Sequence, residues 1–432
     1  MTSLWKVAPP SGRFTEPGKQ IVASRLNNWS YEKMTNGWPE VRAFLAQDGT
    51  LASGISAALE QRGWNDGCDY HNGFIDFKIG SLAMWKNLSQ RLSVSSMAAL
   101  VANDPETAVA RIEDSARLVK LQTNSPMIIC QLVRVASAAI AWNATWEVVT
   151  SGKCSEPQLA RLQSAWEDMD FSTDMARAME MERAMTLVHY DLIISSTDKC
   201  AKAMEELAEA AELGFGPRPP TSGFVLKHIH IPLWQFSWAR QDELRSFNRW
   251  QAVIEFDRDA RSKSWSGVSD RVTSLDQETG ILAAALDDEE RPKMNLYDRI
   301  RYLCSGMTFS IASNTTRKSL QIETQRRMLV AAIAIERWKL RHGKYPESLG
   351  QIVPELLSTV LSDLMDNQPL RFKRTLDGAA LVYSVGDDGR DDGGDPQPND
   401  VKTAYRKIWD GKDAIWPQPA QAKDAARVSH EK

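Results

Sequence analysis

Apolar residues along this chain recur mostly at helical spacing, and the clearest run lies between about 80 and 213. Trp85, Leu88 and Leu92 form one stripe. Asp104 then stands as an N-cap with Pro105 at the first helical position, followed by Val109, Ile112, Ala116 and Val119 at steps of 3, 4 and 3. Ile128, Leu132, Val135, Ala139, Trp142 and Trp146 alternate steps of 4 and 3. Ser155 and Gln158 make a capping box around Pro157, ahead of Leu159, Leu162 and Trp166. Further helices are expected at roughly 173–195 and 198–213. Each stripe is narrow and needs a neighbour to cover it.

Pairing these helices gives units near 80–123 and 125–169, a spacing of about 45 residues that falls among helical-hairpin repeats. Short connections favour antiparallel neighbours. Upstream, residues 1–75 read as a mixed helical and loop region, with a helix over 50–62 marked by Leu51, Ile55 and Leu59. The segment 214–224 holds two glycines and three prolines in its first seven residues, so it breaks the helical domain 76–213 from a second helical block, 225–313. That block is expected to carry helices at about 231–260, 266–285 and 295–313.

The last unit, 314–405, starts from a long helix over Arg317–His342 with Met328, Ala331, Ile335 and Trp338 on one face. Arg341 and His342 suit its C-terminal dipole, and Gly343 supplies the residue that ends it. Pro346 can open a short helix running to Val353. Leu370–Arg374 and Ala380–Val385 read as two strands joined at Asp377-Gly378, a favoured turn pair. An acidic, glycine-rich loop follows from Gly386 to Asp400, and 406–432 reads as a tail.

The order of a long helix, then His342-Gly343-Lys344-Tyr345-Pro346-Glu347-Ser348-Leu349, a hairpin and Tyr383-Ser384-Val385-Gly386-Asp387-Asp388-Gly389 resembles the globular head of type II secretion system G-type pseudopilins. It is similar also to the C-terminal module of large helical proteins from planctomycete and verrucomicrobial bacteria. The resemblance covers roughly 317–400 and implies a small α+β head in the bacterial envelope, with calcium held in the acidic loop. Two departures stand out. About 300 residues precede the helix, and Glu323, Arg326 and Arg327 make it too polar to anchor a filament in a membrane. The family's Asp-Pro-Trp-Gly segment is replaced by Asp363-Leu364-Met365-Asp366-Asn367.

Composition narrows the function classes. The 432 residues suffice for roughly two or three domains, and 43% hydrophobic with 25% charged residues suits a folded, globular chain. A net charge of -4 supplies no global field for nucleic acid. Arg371, Lys373 and Arg374 are a short basic cluster at strand positions. No stretch reaches the roughly 18 apolar residues of a membrane span; 127–147 is broken by Gln131 and Arg134. Met1 to Arg13 lacks the apolar core of a signal peptide. That start points to the cytosol, whereas the resemblance points to the envelope. The five cysteines show no CxxC spacing, and Cys130 lies in an apolar stretch as a buried thiol.

Candidate chemistry is sparse. Asp387, Asp388, Asp391, Asp392 and Asp395 alternate with Gly389, Gly393 and Gly394, a pattern that can offer calcium several oxygens. The EF-hand pattern is absent: counting from Asp387, the twelfth position is Pro398. A solvated acidic turn neutralised by Arg390 explains the same residues. His228 and His230 would share one face of a strand and could grip a metal there, although packed histidines are the plainer reading. Glu182-Arg183 reads as a buried tie between helices. His71, Glu182 and His228 are the residues from which a dispersed hydrolase site would be built, and Trp29, Trp38, Trp64, Trp409 and Trp416, off the clear stripes, could stack on sugar. No P-loop, dinucleotide or G-x-S-x-G motif is present. The expectation is a mainly α chain: an antiparallel, repeat-like helical-hairpin array with a small C-terminal α+β head. Its expected role is non-catalytic, holding a protein partner.

Overall fold

The computed structural model describes residues 38–47, 49–60, 67–77, 79–80, 82–212, 223–275, 296–305, 312–375, 378, 380–398 and 408–416. Trp29, Trp64, nearly all of the 214–224 segment and much of the helix expected at 266–285 lie outside them. The chain is mainly helical, with one small antiparallel sheet near its C-terminus.

Helices α1 (Trp38–Gln47) and α2 (Gly49–Leu59) lead into α3 (Leu82–Val101), α4 (Pro105–Leu121), α5 (Ile128–Thr150) and α6 (Glu156–Glu167). Their ends follow the capping chemistry. The Asp104 carboxylate accepts from Thr107 N at 3.0 Å, and Ser155 N donates to Gln158 Oε1 at 2.9 Å. Ser96 Oγ donates to Ala108 O at 2.9 Å, tying the late part of α3 to the start of α4. Next come α7 (Phe171–Ser195) and α8 (Thr197–Glu212). A wider helical turn at Leu226–His230 runs into α9 (Ile231–Ser237), and α10 (Ala239–Lys263), α11 (Leu296–Arg301) and α12 (Ala312–His342) follow.

Helix α5 departs from the stripe read in the sequence. Its fully buried side is Gln131, Arg134, Ala138, Ala141, Thr145 and Val148, whereas Leu132, Val135, Ala139 and Trp146 are half-buried. The cause is position: α5 is packed by α3, α4, α7 and α12, so several faces are covered at once. Arg134 survives there because Asp174 meets it at 2.8 Å, Val119 O at 3.1 Å and Gln131 Oε1 at 3.1 Å. Helix α5 is, among the described residues, the one helix long and apolar enough to cross a membrane by length and composition; 56% of that window is buried against the rest of the protein.

Helix α12 is the axle of the molecule. It packs on α6, α7, α10 and β2, and the run Met328–Ile335 is buried on every side. The largest core joins Val41, Trp142 and Trp166 to Ile335, Val382 and Trp416. Glu323, 1% exposed, carries the charge of this helix inward. It accepts from Arg326 Nη2 at 2.6 Å, Arg327 Nε at 3.1 Å and Phe171 N at 3.1 Å. Arg326 donates onward to Trp166 O and Glu167 O, the last carbonyls of α6. Gly343 ends α12 with φ of 72°, and its N–H donates to Lys339 O at 2.8 Å.

The strands are β1 (Arg371–Arg374), β2 (Ala380–Ser384) and β3 (Ala414–Trp416), ordered β1-β2-β3 and antiparallel throughout. Phe372 faces Val382, and Tyr383 faces Ile415. The hairpin lies where the sequence placed it. Strand β3 falls within the segment read as a tail. The short helix expected after Pro346 is a 3-10 turn at Leu349–Ile352.

Candidate functional site

The acidic loop is held by its own chain. Asp387 accepts from Gln321 Nε2 at 2.6 Å, and burial raises its pKa. Asp388 accepts from Arg390 N and Asp391 from Gly393 N, each closing a local turn. Asp391 also accepts from Tyr383 Oη at 3.2 Å. Asp395 accepts from Gln397 N at 3.0 Å and from Lys412 Nζ at 2.9 Å, with Gln397 foremost in holding its pKa below the usual carboxylate range. The organiser is a residue the sequence reading passed over. Asp413, fully buried, accepts from Asp392 N, Gly394 N and Asp395 N. Gly386 and Gly389 are required by close approach: a Cβ on the first would collide with Lys412 O, and on the second with the Ser266 side chain. Among the described residues, no group of three or more His, Cys, Asp or Glu side chains gathers at metal-ligand spacing. The calcium expectation rests on the aspartate–glycine pattern and on the resemblance.

Asp363, first residue of the altered Asp-Pro-Trp-Gly segment, is fully buried and anchors the hairpin. One oxygen accepts from Met365 N and Ser384 Oγ, both at 2.9 Å, and the other from Val385 N at 3.0 Å and Arg371 Nη1 at 3.2 Å. Burial raises its pKa in spite of these donors.

The histidine pair is not on a strand. His228 and His230 occupy the helical turn at Leu226–His230, where neighbours two apart diverge. His230 is buried, while His228 is exposed and lies tilted against Phe224, with ring centroids 4.3 Å apart. Glu182 is the expected tie: Oε1 accepts from Ile128 N at 2.9 Å, satisfying the start of α5. Burial pushes its pKa up to about 7. Arg183 donates to Gln251 on α10. His71 is exposed beside Asp69. Among the described residues, no hydrogen bond joins any two of His71, Glu182 and His228.

Tryptophans off the stripes are packed too. Trp416 is buried and meets Trp146 edge-on at 6.3 Å, and Trp409 lies against two cores. The sequence left both open to sugar stacking; burial removes that role from Trp416, whereas Trp409 is half-buried. The Trp38 side chain lies outside the described set.

Two surface features were missed in the sequence, and only the first had a legible spacing. Val225, Ile229, Leu233 and Phe236 follow steps of 4, 4 and 3 and point outward. Phe236 is 93% exposed and the adjoining Phe224 73%. Leu226, His230, Ile231 and Trp234 bury the opposite face. The second feature is a cavity of about 500 Å³ between α10 and the end of α11. Helix α10 lines it with Gln241, Leu244, Arg245, Asn248 and Arg249. Arg301 and Tyr302 close the other side.

The chain matches no protein-family model, no curated protein and no solved structure.

Proposed function

We propose that this protein is a non-catalytic interaction protein of the bacterial envelope, in which a repeat-like helical array carries a pseudopilin-like head and the helix around 224–237 docks an amphipathic helix of a protein partner. The observation that supports the docking face is the outward apolar stripe Val225, Ile229, Leu233 and Phe236 on a helix whose other side is already buried. The stripe spans about three turns, roughly 17 Å, the length of a short helix laid in a groove. The charges at its rim are paired: Lys227 with Asp198 at 2.9 Å, and Arg240 with Glu243 at 2.7 Å and Asp191 at 3.3 Å. A rim without net positive charge suits a protein partner better than an anionic bilayer, which rewards unpaired lysine and arginine.

The test places a photo-crosslinking residue at Phe236 of the full chain, identifies the crosslinked segment, and titrates the purified pair. One partner helix is expected, with affinity reduced at least tenfold by Ile229→Ser with Leu233→Ser and unchanged by Leu340→Ser. Crosslinks only to further copies of this chain, association with vesicles of anionic lipid instead, or a double variant that binds as tightly as the parent would each overturn the reading.

A further inference from the structure

Two of the five cysteines share one core. Cys200 and Cys304 are both thiols and both buried, in the cluster built from Tyr190, Ile193, Ile231 and Trp234. Cys130 and Cys154 belong to two other clusters. The Cys304 thiol lies within hydrogen-bond reach of the Cys200 thiol.

The backbone fixes both positions. Cys200 stands in the first turn of α8, where its N–H donates to Ser196 O at 3.0 Å. Cys304 follows α11, and its N–H donates to Asp242 Oδ2 at 2.8 Å. The same carboxylate accepts from Ser305 N at 3.1 Å and from Trp234 Nε1 at 3.0 Å, so α10 and α9 hold the turn that carries Cys304. Elements far apart in sequence thus each present a sulfur to the same core. Burial, followed by the Cys200 thiol and the Asp242 carboxylate beside it, holds the Cys304 thiol well above the usual thiol range. In the folded chain it stays protonated and is a poor nucleophile. A disulfide would remove both S–H groups from this apolar setting and draw the sulfurs to about 2.0 Å. A link from residue 200 to residue 304 closes a loop of roughly a hundred residues, a length at which cross-linking takes much freedom from the unfolded chain.

We infer that Cys200 and Cys304 are a disulfide-forming pair, closed as the chain folds by exchange with an external disulfide, and that the bond clasps the first turn of α8 to the turn after α11. One thiolate of the pair attacks the external disulfide and expels one of its sulfurs as a thiolate. The second then attacks the resulting mixed disulfide at the protein sulfur and expels the other. The two cysteines lose two electrons and two protons, and the external disulfide takes them up as two thiols. Exchange belongs to folding because the completed core shields both sulfurs, first from the oxidant and afterwards from reductant. In the cell the external disulfide is one that an oxidising compartment supplies. The pair uses none of the docking residues, and its test uses the purified chain, so it stands apart from the envelope reading.

To test this, the full chain is unfolded in urea with reductant, refolded at mildly alkaline pH in mixed reduced and oxidised glutathione, alkylated, and mapped by peptide mass spectrometry. A Cys200–Cys304 cross-linked peptide is expected in most molecules, with Cys68, Cys130 and Cys154 alkylated. Reducing the refolded chain should lower its melting temperature by at least about 3 °C. Cys200→Ala and Cys304→Ala should each abolish the cross-link and make melting insensitive to reductant. Cys154→Ala, in another core, should keep both properties. The map is read on the parent chain, so a variant that fails to fold leaves the test decisive. Refolded parent with both thiols alkylated or capped by glutathione, a bridge from either to a third cysteine, or a melting temperature that reduction does not move overturns the inference.

Discussion

Glu182 and His189 stand two turns apart along one side of α7, and burial moves their titrations in opposite directions. Glu182 rises from 4.5 to about 7 beneath the start of α5. His189, edge-on to Phe74 at 5.7 Å, falls from 6.5 to about 4. Between 4.5 and about 7 the folded chain keeps a Glu182 proton that the unfolded chain has released, so stability falls as pH rises. Between about 4 and 6.5 the unfolded chain binds a proton that His189 refuses, so stability falls as pH drops. The two nearly cancel in the parent. Glu182→Gln should gain about 3 kcal/mol over the parent as pH is raised through its window, and His189→Gln should gain a similar amount as pH is lowered through the other. Urea denaturation across pH reads both; profiles parallel to the parent would show that neither burial matters.

Asp363 gathers four donors into a fully buried carboxylate. Asp363→Ala leaves Arg371 and two backbone N–H groups without that acceptor, and the expected cost is about 3–5 kcal/mol. Asp363→Asn should cost less, since its amide oxygen still accepts while its NH2 opposes two donors. Denaturation midpoints decide it, together with proteolysis of the hairpin. A loss under about 1 kcal/mol for the alanine variant would mean that water replaces the carboxylate.

What the sequence disclosed follows from how local each signal is. The cap at Asp104, the box at Ser155–Gln158, the stop at Gly343 and both hairpin strands are set within a few residues, and each stands where its pattern put it. Strand β3 escaped because Ala414-Ile415-Trp416 is too short to show alternation. The buried side of α5 escaped because periodicity assumes one covered face, and Arg134 is made tolerable by Asp174, 40 residues away. The acidic loop was legible as a loop, but its organiser Asp413 lies 18 residues beyond Asp395. The cavity lined by Arg245, Arg249 and Arg301 joins α10 to residues more than 50 positions later, and no local pattern announces such a meeting.

Glu323 links α12 to α6 and α7 through Arg326, Arg327 and Phe171 N. Glu323→Ala strands a buried guanidinium and should cost about 3–5 kcal/mol. Glu323→Met combined with Arg326→Met removes both charges. Its cost should fall short of the sum of the single variants by about 1–3 kcal/mol. Strict additivity in a double-mutant cycle would show that the two side chains act separately, in spite of the 2.6 Å contact between them.

Asp413 supports the acidic loop from beneath by accepting three backbone N–H groups. Burial raises its pKa, so the folded chain takes up a proton there before the unfolded chain does, and the stability this group contributes falls as pH rises. Asp413→Ala leaves those three donors to water or to nothing, and the expected loss is about 1–3 kcal/mol, concentrated in this corner. Hydrogen exchange should report it locally. The amides of Asp392, Gly394 and Asp395 should lose protection, while Leu364 N, which donates to Thr324 Oγ1 on α12 at 3.2 Å, should keep its rate. Faster exchange at Leu364 as well would mean that loop and sheet open as one unit, and Asp413 would then be holding the whole head rather than the loop.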